Sequence, residues 1–327
     1  MSPKVSVVMP VFNGAAYLGA AIESILAQTF DDFEFIIIDD GSIDDSAAVI
    51  RRFNDPRIRF FQQANKGLAA TLNRGITLAS GEYVARQDQD DLSLPARFEK
   101  QAAFLGATPR CALVGTRAEI WEGDKRTARA HDHPAENYIL KFELLFDNPF
   151  VHSSVMLRKT ALDKVGVYTT DPARQPPEDY ELWSRLAREF DVSNIPERLL
   201  IYREFPSSMS RDANNPFLNK VIRISAENIA LCLGESVPDQ DITRLAGLVH
   251  YQFAGISEKP DFSKMEGMLL KAAARLAANS EQLRILQRKA VSILRGIRLQ
   301  FFRRGPLWDL LRAIKARIRR VLSKVKI

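Results

Sequence analysis

The sequence predicts an α/β protein: a mostly parallel sheet flanked by helices, followed by a C-terminal helical region. Three observations carry this expectation. Strand-like runs alternate with helical segments over roughly the first 120 residues, the pattern of a doubly wound sheet. The strand runs are apolar without polar alternation, as in strands covered on both faces. Beyond about Ser210, after the break at Asn214-Asn215-Pro216, the segments read as helical to the end of the chain.

Each element has its own signal. Lys4–Met9 is a short β-branched run stopped by Pro10, and Ala15–Gln28 places Leu18, Ile22 and Ile25 on one helical face. Phe33–Ile38 is a second strand. Ser42 reads as the N-cap of a helix through Phe53, with Asp44 and Asp45 in its first turn. Arg57–Phe61 and Gly81–Ala85 are strands around a helix at Gly67–Ala79. Leu94–Leu105 is helical, Ala112–Ile120 a strand, Glu122–Pro134 a polar loop and Ala135–Phe146 a helix. Val151–Leu157 is strand-like, and Tyr168–Pro177, with three prolines, is an irregular loop. A helix follows at Glu178–Glu189, with short strands near Val192 and over Leu199–Tyr202.

The 327 residues, 46% apolar, can bury a core and suggest about two domains. The expected organisation is an α/β domain over 1–210, a helical extension over 211–300 and a basic amphipathic helix over 301–327. Two cysteines, Cys111 and Cys232, make no disulfide framework and point to a reducing compartment. No apolar run reaches the ~18 residues of a membrane span, and the Met1-Ser2-Pro3-Lys4 start has no secretory pattern. A cytoplasmic location is therefore expected. The net charge of +6 hides an asymmetry. Arg284–Ile327 holds 14 Lys and Arg against one acid, Asp309; taken from totals of 46 and 40, that leaves 32 bases and 39 acids elsewhere. An acidic body and a basic tail imply different partners.

Three acidic constellations could carry chemistry. In Ile38-Asp39-Asp40-Gly41-Ser42, two carboxylates follow a strand at the rim where open α/β sheets bind ligands. They could accept hydrogen bonds from a nucleobase or ribose, or merely shape the turn. In Asp88-Gln89-Asp90-Asp91, three carboxylates repel one another. A Mg²⁺ or Mn²⁺ ion would relieve that repulsion and bridge a diphosphate; the alternative is a solvated turn. In Glu178-Asp179-Tyr180-Glu181, acids open a helix beside an irregular loop. One of them could take a proton from a hydroxyl, or all could simply favour the helix N-terminus. A dinucleotide fingerprint and a P-loop are both missing.

The order of these motifs resembles the family-2 inverting glycosyltransferases of the GT-A fold, a Rossmann-like architecture. The matching residues are Val5–Asn13, Gln28-Thr29-Phe30, Ile38–Ser42, Asn65-Lys66-Gly67, Leu72-Asn73, Ala79–Tyr83, Asp88–Asp91 and Glu178-Asp179, within residues 3–205. The resemblance implies transfer of a sugar from a nucleoside-diphosphate donor, with uridine favoured. Asp40 would contact the base, Pro10, Phe12 and Asn13 would line its pocket, and Asp39 would help hold the site. Asp88 and Asp90 form the Asp-x-Asp pair, with Asp90 the metal ligand. Asp91 would lie near the donor sugar or acceptor, and Lys66 and Arg86 would be donor-site cations. Asp179 matches the catalytic base, and His152, Glu178 and Trp183 fall on the acceptor side or pocket. One departure stands out: where many relatives have Tyr-Arg-x-His, this chain has Tyr202-Arg203-Glu204-Phe205, and Phe205 cannot bind a metal.

In the tail, Leu307, Leu310, Leu311, Ile314, Ile318, Val321, Leu322 and Val325 fall on one helical stripe, with Lys and Arg on the other faces. This pattern is expected to lie on an anionic membrane surface, or else to pack its stripe on the protein. Peripheral attachment would suit a glycan or lipid-linked acceptor in bacterial surface polysaccharide synthesis. Nucleic acid is not expected, because no recognition module accompanies the charge. The alternatives are a nucleotidyltransferase, for which Asn13-Gly14-Ala15-Ala16 supplies no basic phosphate loop, and a non-catalytic nucleotide-binding protein at the membrane. Segments 122–134, 168–177 and 211–300 are expected to decide the acceptor.

Overall fold

The computed structural model describes residues 2–205, 216–253 and 259–303. The chain divides into two compact units, Met1–Ile224 and Ser225–Ile327. Among the described residues the first holds nine strands: β1 (Val5–Val11), β2 (Phe33–Asp39), β3 (Ile58–Gln62), β4 (Tyr83–Arg86), β5 (Leu92–Ser93), β6 (Cys111–Glu122), β7 (Lys125–His131), β8 (Met156–Arg158) and β9 (Asp191–Glu204). Its helices are α1 (Ala15–Leu26), α2 (Ser46–Ile50), α3 (Leu68–Leu78), α4 (Arg97–Ala107), α5 (Asn137–Glu143), α6 (Lys159–Val165) and α7 (Glu178–Glu189), and α8 (Leu218–Leu233) follows.

The strands form one sheet in the order β3-β2-β1-β4-β8-β6-β9-β5, with β7 added to β6. The half from β3 to β4 is parallel, as the apolar runs predict. Beyond it the sheet is mixed: β8 is antiparallel to β4 and β6, β9 is parallel to β6, and β5 is antiparallel to β9. Alternate residues of each strand feed cores on opposite faces. Val8, Ile36 and Ile38 pack with Leu72 of α3 and Trp183 of α7. Val7, Met9, Phe35 and Ile37 pack with Ile22 of α1 and Phe98 of α4.

The parallel strands point the same way, so the segments after β1, β2 and β4 share one rim. Two polar devices fix it. The buried Arg97 donates all five of its N–H groups: to Gln101 Oε1, Gln87 Oε1, Ser93 Oγ, and the carbonyls of Arg86 and Val155. Gln89 pairs with the backbone of Phe12, accepting from its N–H (2.8 Å) and donating to its carbonyl (3.1 Å). The first device anchors the end of β4; the second ties the turn after β1 to the acidic turn after β4.

Several elements depart from expectation. Glu122–Pro134 is not a loop. It turns at Gly123, φ +58°, and returns as β7, antiparallel to β6 with Glu122 opposite Lys125. An edge strand with solvent on one face needs no apolar run, so β7 reads as polar. The two short strands around Pro196 are one strand, β9; its register against β6 slips between Thr116 and Arg117, where Pro196 and Glu197 go unpaired. The helix expected from Ser42 to Phe53 is only Ser46–Ile50, because the Ser42 hydroxyl accepts the Asn13 N–H (2.9 Å) instead of capping. Val151–Leu157 is a 3₁₀ turn, His152–Ser154, followed by the short strand β8.

In the second unit, α9 (Gln240–Val249), α10 (Phe262–Leu276) and α11 (Ser280–Phe302) are capped by the side chains of Asp239, Asp261 and Asn279. Among the described residues no helix is long and apolar enough to cross a membrane. The amphipathic stretch expected over 301–327 lies outside the described residues beyond Arg303.

Candidate active site

A cleft of about 960 Å³ opens at the rim of the sheet. It brings together nine of the residues singled out in the sequence: Pro10, Phe12, Asp40, Arg86, Asp88, Asp90, His152, Glu178 and Asp179. Asp40, Asp90 and Asp179, separated by up to 139 positions in the chain, thus share one cavity.

Five singled-out residues do not line it. Asp39 is buried, accepting from the Ser42 N–H (2.9 Å) and Gln62 Nε2 (3.0 Å), so it shapes the turn. Asn13, at φ +50°, accepts from the Ile43 N–H. Asp91 is buried between Ser153 Oγ and the Arg203 N–H. Trp183 is buried behind the cleft, edge-on to His152 at 5.8 Å. Lys66 is exposed, and what it contributes is its backbone N–H.

That N–H belongs to a cradle around Asp40. Its Oδ1 accepts from Lys66 N (2.9 Å) and Gln63 Nε2 (2.6 Å), and its Oδ2 from Gly67 N (2.9 Å). A carboxylate has about four acceptor positions, so roughly one remains. Gly41 makes the approach possible: at φ +82°, a Cβ there would lie 2.9 Å from Asn65 N.

The acidic turn after β4 is electrostatically loaded. Burial and then the charge of Asp88 push the Asp90 carboxyl up to about 6. Asp91 is raised well above the carboxylate range by burial, Asp88 and Asp90. Asp88 is paired with the buried Arg86, whose Nε has no hydrogen-bond partner. Among the described residues no three His, Cys, Asp or Glu side chains converge as a closed metal site. The donor set instead fits a hard divalent cation held by one or two carboxylates, with water and phosphate oxygens completing its shell. Phe205 also lines the cleft, its ring 5.0 Å from that of Tyr17.

Across the cleft, Asp179 lies in the first turn of α7. Burial and the neighbouring Glu178 push its carboxyl up to about 7. Asn148 Nδ2 donates to its Oδ2 at 2.8 Å, and His152 Nδ1 stands 3.9 Å from the same oxygen. His152 Nε2 is 2.9 Å from the Tyr168 hydroxyl, and burial holds the imidazole well below its usual range, hence neutral. Glu178 is also raised by burial. A buried carboxyl titrating near neutrality in a cleft has the properties of a general base.

Sequence reasoning quoted Asn65, Gln89 and Tyr202 within motifs but gave them no role, and it missed Asn148, His131 and His133 among the lining residues. One signal for the histidines was present. Gly123-Asp124 between Glu122 and Lys125 is a two-residue hairpin loop.

Comparison with known proteins identifies the family and the fold. The sequence model of Glycosyl transferase family 2 matches residues 6–166. EpsE of Bacillus subtilis is 36% identical over 215 residues, covering 64% of this chain and 76% of EpsE. The O-antigen biosynthesis glycosyltransferase WbnJ of Escherichia coli is 32% identical over 215 residues, covering 64% and 83%. Among solved structures, S. aureus TarS 1-349 in complex with UDP-GlcNAc superposes with a TM-score of 0.61 at 16% identity, covering 92% of each chain. The mannosyltransferase PcManGT from Pyrobaculum calidifontis, in complex with GDP-Man and Mn²⁺, superposes with a TM-score of 0.53 at 15% identity, covering 94% and 88%. The fold is that of a glycosyltransferase scaffold of the GT-A type. The chain belongs to glycosyltransferase family 2, of the GT-A type.

Proposed function

We propose that this glycosyltransferase moves a sugar from a UDP-linked donor to a hydroxyl of a glycan or lipid-linked acceptor, with inversion at the anomeric carbon. A role in bacterial surface polysaccharide synthesis is in keeping with the O-antigen assignment of WbnJ. The observation that carries the reading is the shared cavity: Asp40, the pair Asp88 and Asp90, and the raised carboxyl of Asp179 face one space.

On the donor side, Asp40 offers its remaining acceptor position to an N–H of the base, and Phe12 and Pro10 flank it. Arg86 Nε, buried and unpartnered, is a donor for a diphosphate oxygen. Asp90, with Asp88, would hold Mg²⁺ or Mn²⁺, which when bound supplies charge stabilisation for the departing diphosphate. On the acceptor side, Asp179 takes the proton of the attacking hydroxyl. The oxygen bonds to the anomeric carbon as the bond to the diphosphate breaks on the opposite face. Asn148 holds Asp179 Oδ2, and neutral His152 borders it without competing for the proton. Asp39 and Asp91 hold their turns in place through backbone and side-chain contacts, and Trp183 backs His152.

We place the protein in the cytoplasm, attached peripherally to anionic membrane through the basic 301–327 stretch, with 1–210 as transferase domain and 211–300 as helical extension. The test is Asp179→Asn. UDP binding, followed by calorimetry with and without Mn²⁺, stays as in the wild type, while release of UDP from a UDP-sugar panel is lost. Retained turnover refutes the assignment of the base; failure of every nucleoside diphosphate to bind refutes the transferase reading.

A further inference from the structure

The cleft has a wall that the donor reading leaves unused. Sheet order places β4 and β8 between β1, which carries Pro10 and leads into Phe12, and β6, which pairs with β7 in a hairpin. On that far side, His131 at the end of β7, His133 just after it and Tyr202 of β9 line the cavity. The two imidazoles are stacked, with centroids 5.6 Å apart and planes 12° apart, and Tyr202 meets His131 edge-on at 5.3 Å. Both histidines are half-buried.

This wall is fixed against the proposed base. The side-chain amide of the buried Asn194 donates to the carbonyls of Pro134 (3.0 Å) and Pro149 (3.1 Å). It thereby ties the segment after His133 to the segment carrying Asp147 and Asn148, and Asn148 in turn holds Asp179. Nothing larger than glycine fits behind it, since a Cβ at Gly115 would lie 2.2 Å from Asn194 Oδ1.

We propose that His131, His133 and Tyr202 form the surface that holds the acceptor, and that its ligand is an uncharged sugar residue at the acceptor's terminus. This rests on the transferase reading and names its acceptor class. The chemistry follows from the groups present. Flat aromatic faces cover the apolar C–H face of a pyranose, and a neutral imidazole has one donor and one acceptor for hydroxyls. Burial lowers both histidines, so they are neutral at pH 7. The charge on this side is acidic: Asp147, Glu178 and Asp179 line the same cavity, whereas Arg86, which also lines it, is paired with Asp88 and belongs to the donor side. Arg203, also in the wall, is committed to the carbonyls of Gly123 and Asp90 and to the Asp124 carboxylate. A uronate or phosphate there would face carboxylates with no uncommitted cation among these groups, so an anionic sugar is disfavoured.

The experiment measures binding of neutral methyl hexosides and of methyl hexuronides to the full chain by saturation-transfer NMR, with UDP and Mn²⁺ present. The neutral glycosides bind at least fivefold tighter than the uronides. His131→Ala with His133→Ala weakens them at least tenfold, while UDP affinity is unchanged, which shows the variant is folded. His131→Phe with His133→Phe keeps most of the stacking and most of the affinity. Tighter uronide binding, absence of glycoside binding to the wild type, or an unaltered double-alanine variant each overturns the proposal. Glycoside binding that depends on the histidines in a protein that neither binds UDP nor cleaves any UDP-sugar would instead sink the transferase reading and leave a saccharide surface.

Discussion

Replacing Asn148 by alanine displaces the pH dependence of the reaction to higher pH. Asp179, raised to about 7, passes from about one-tenth ionised at pH 6 to about nine-tenths at pH 8. If it is the base, kcat/KM rises about tenfold over that interval, whereas a carboxylate near its ordinary ~3.9 gives a flat profile there. The 2.8 Å bond from Asn148 Nδ2 favours the ionised form. Hydrogen bonds to charged groups are worth ~1.5–3 kcal/mol and one pKa unit is 1.36 kcal/mol, so losing this one raises Asp179 by about one to two units. At pH 7 the Asn148→Ala rate then falls roughly five- to fiftyfold, and it recovers towards the wild-type plateau above the displaced limb. The assay is the initial rate of UDP release from pH 5.5 to 10 at constant ionic strength. A loss that is uniform with pH, or an unmoved limb, refutes the claim that Asn148 tunes the base.

Further outcomes follow from the same contacts. Because Asp179 has a raised pKa when folded, its ionisation opposes folding: stability falls as pH climbs from its unfolded value near 4 through about 7. Asp179→Asn therefore raises the unfolding free energy at pH 8 by on the order of 2–4 kcal/mol, seen as a higher Tm, and has little effect at pH 4, measured by thermal unfolding at both. Arg97→Met strands the oxygens that its five N–H groups satisfy and costs about 3–5 kcal/mol in urea unfolding. Asp40→Ala frees three donors and removes the acceptor facing the base, so calorimetry shows UDP binding weakened roughly ten- to a hundredfold. Asp90→Asn reduces Mn²⁺-supported turnover about a hundredfold, and EDTA then has little further effect on the variant.

Strands β1 to β4, helices α1 and α3 and the start of α7 at Glu178 were legible in the sequence, because their apolar spacing reflects burial on the two faces of a sheet. The acidic turns were legible because crowded carboxylates are an unusual local choice. β7 was not, since an edge strand such as Lys125–His131 can do without large apolar residues. Nor was the division of labour inside Asp39-Asp40 and Asp90-Asp91. Neighbouring residues differ in direction by half a turn of the strand, or by which backbone N–H groups they meet, so one of each pair faces the cleft and the other locks the turn.

The sequence alone determined the parallel half of the sheet, the kind of charge at its rim and the basic character of the tail, because each follows from local pattern and composition. Only the tertiary structure decided that Asp40, Asp90 and Asp179 share a cavity, that Asn148 holds the last of them, and that two histidines on a polar hairpin complete the wall. Those relations depend on strand order and long-range packing, which bring together residues whose separation in the chain carries no trace of their contact.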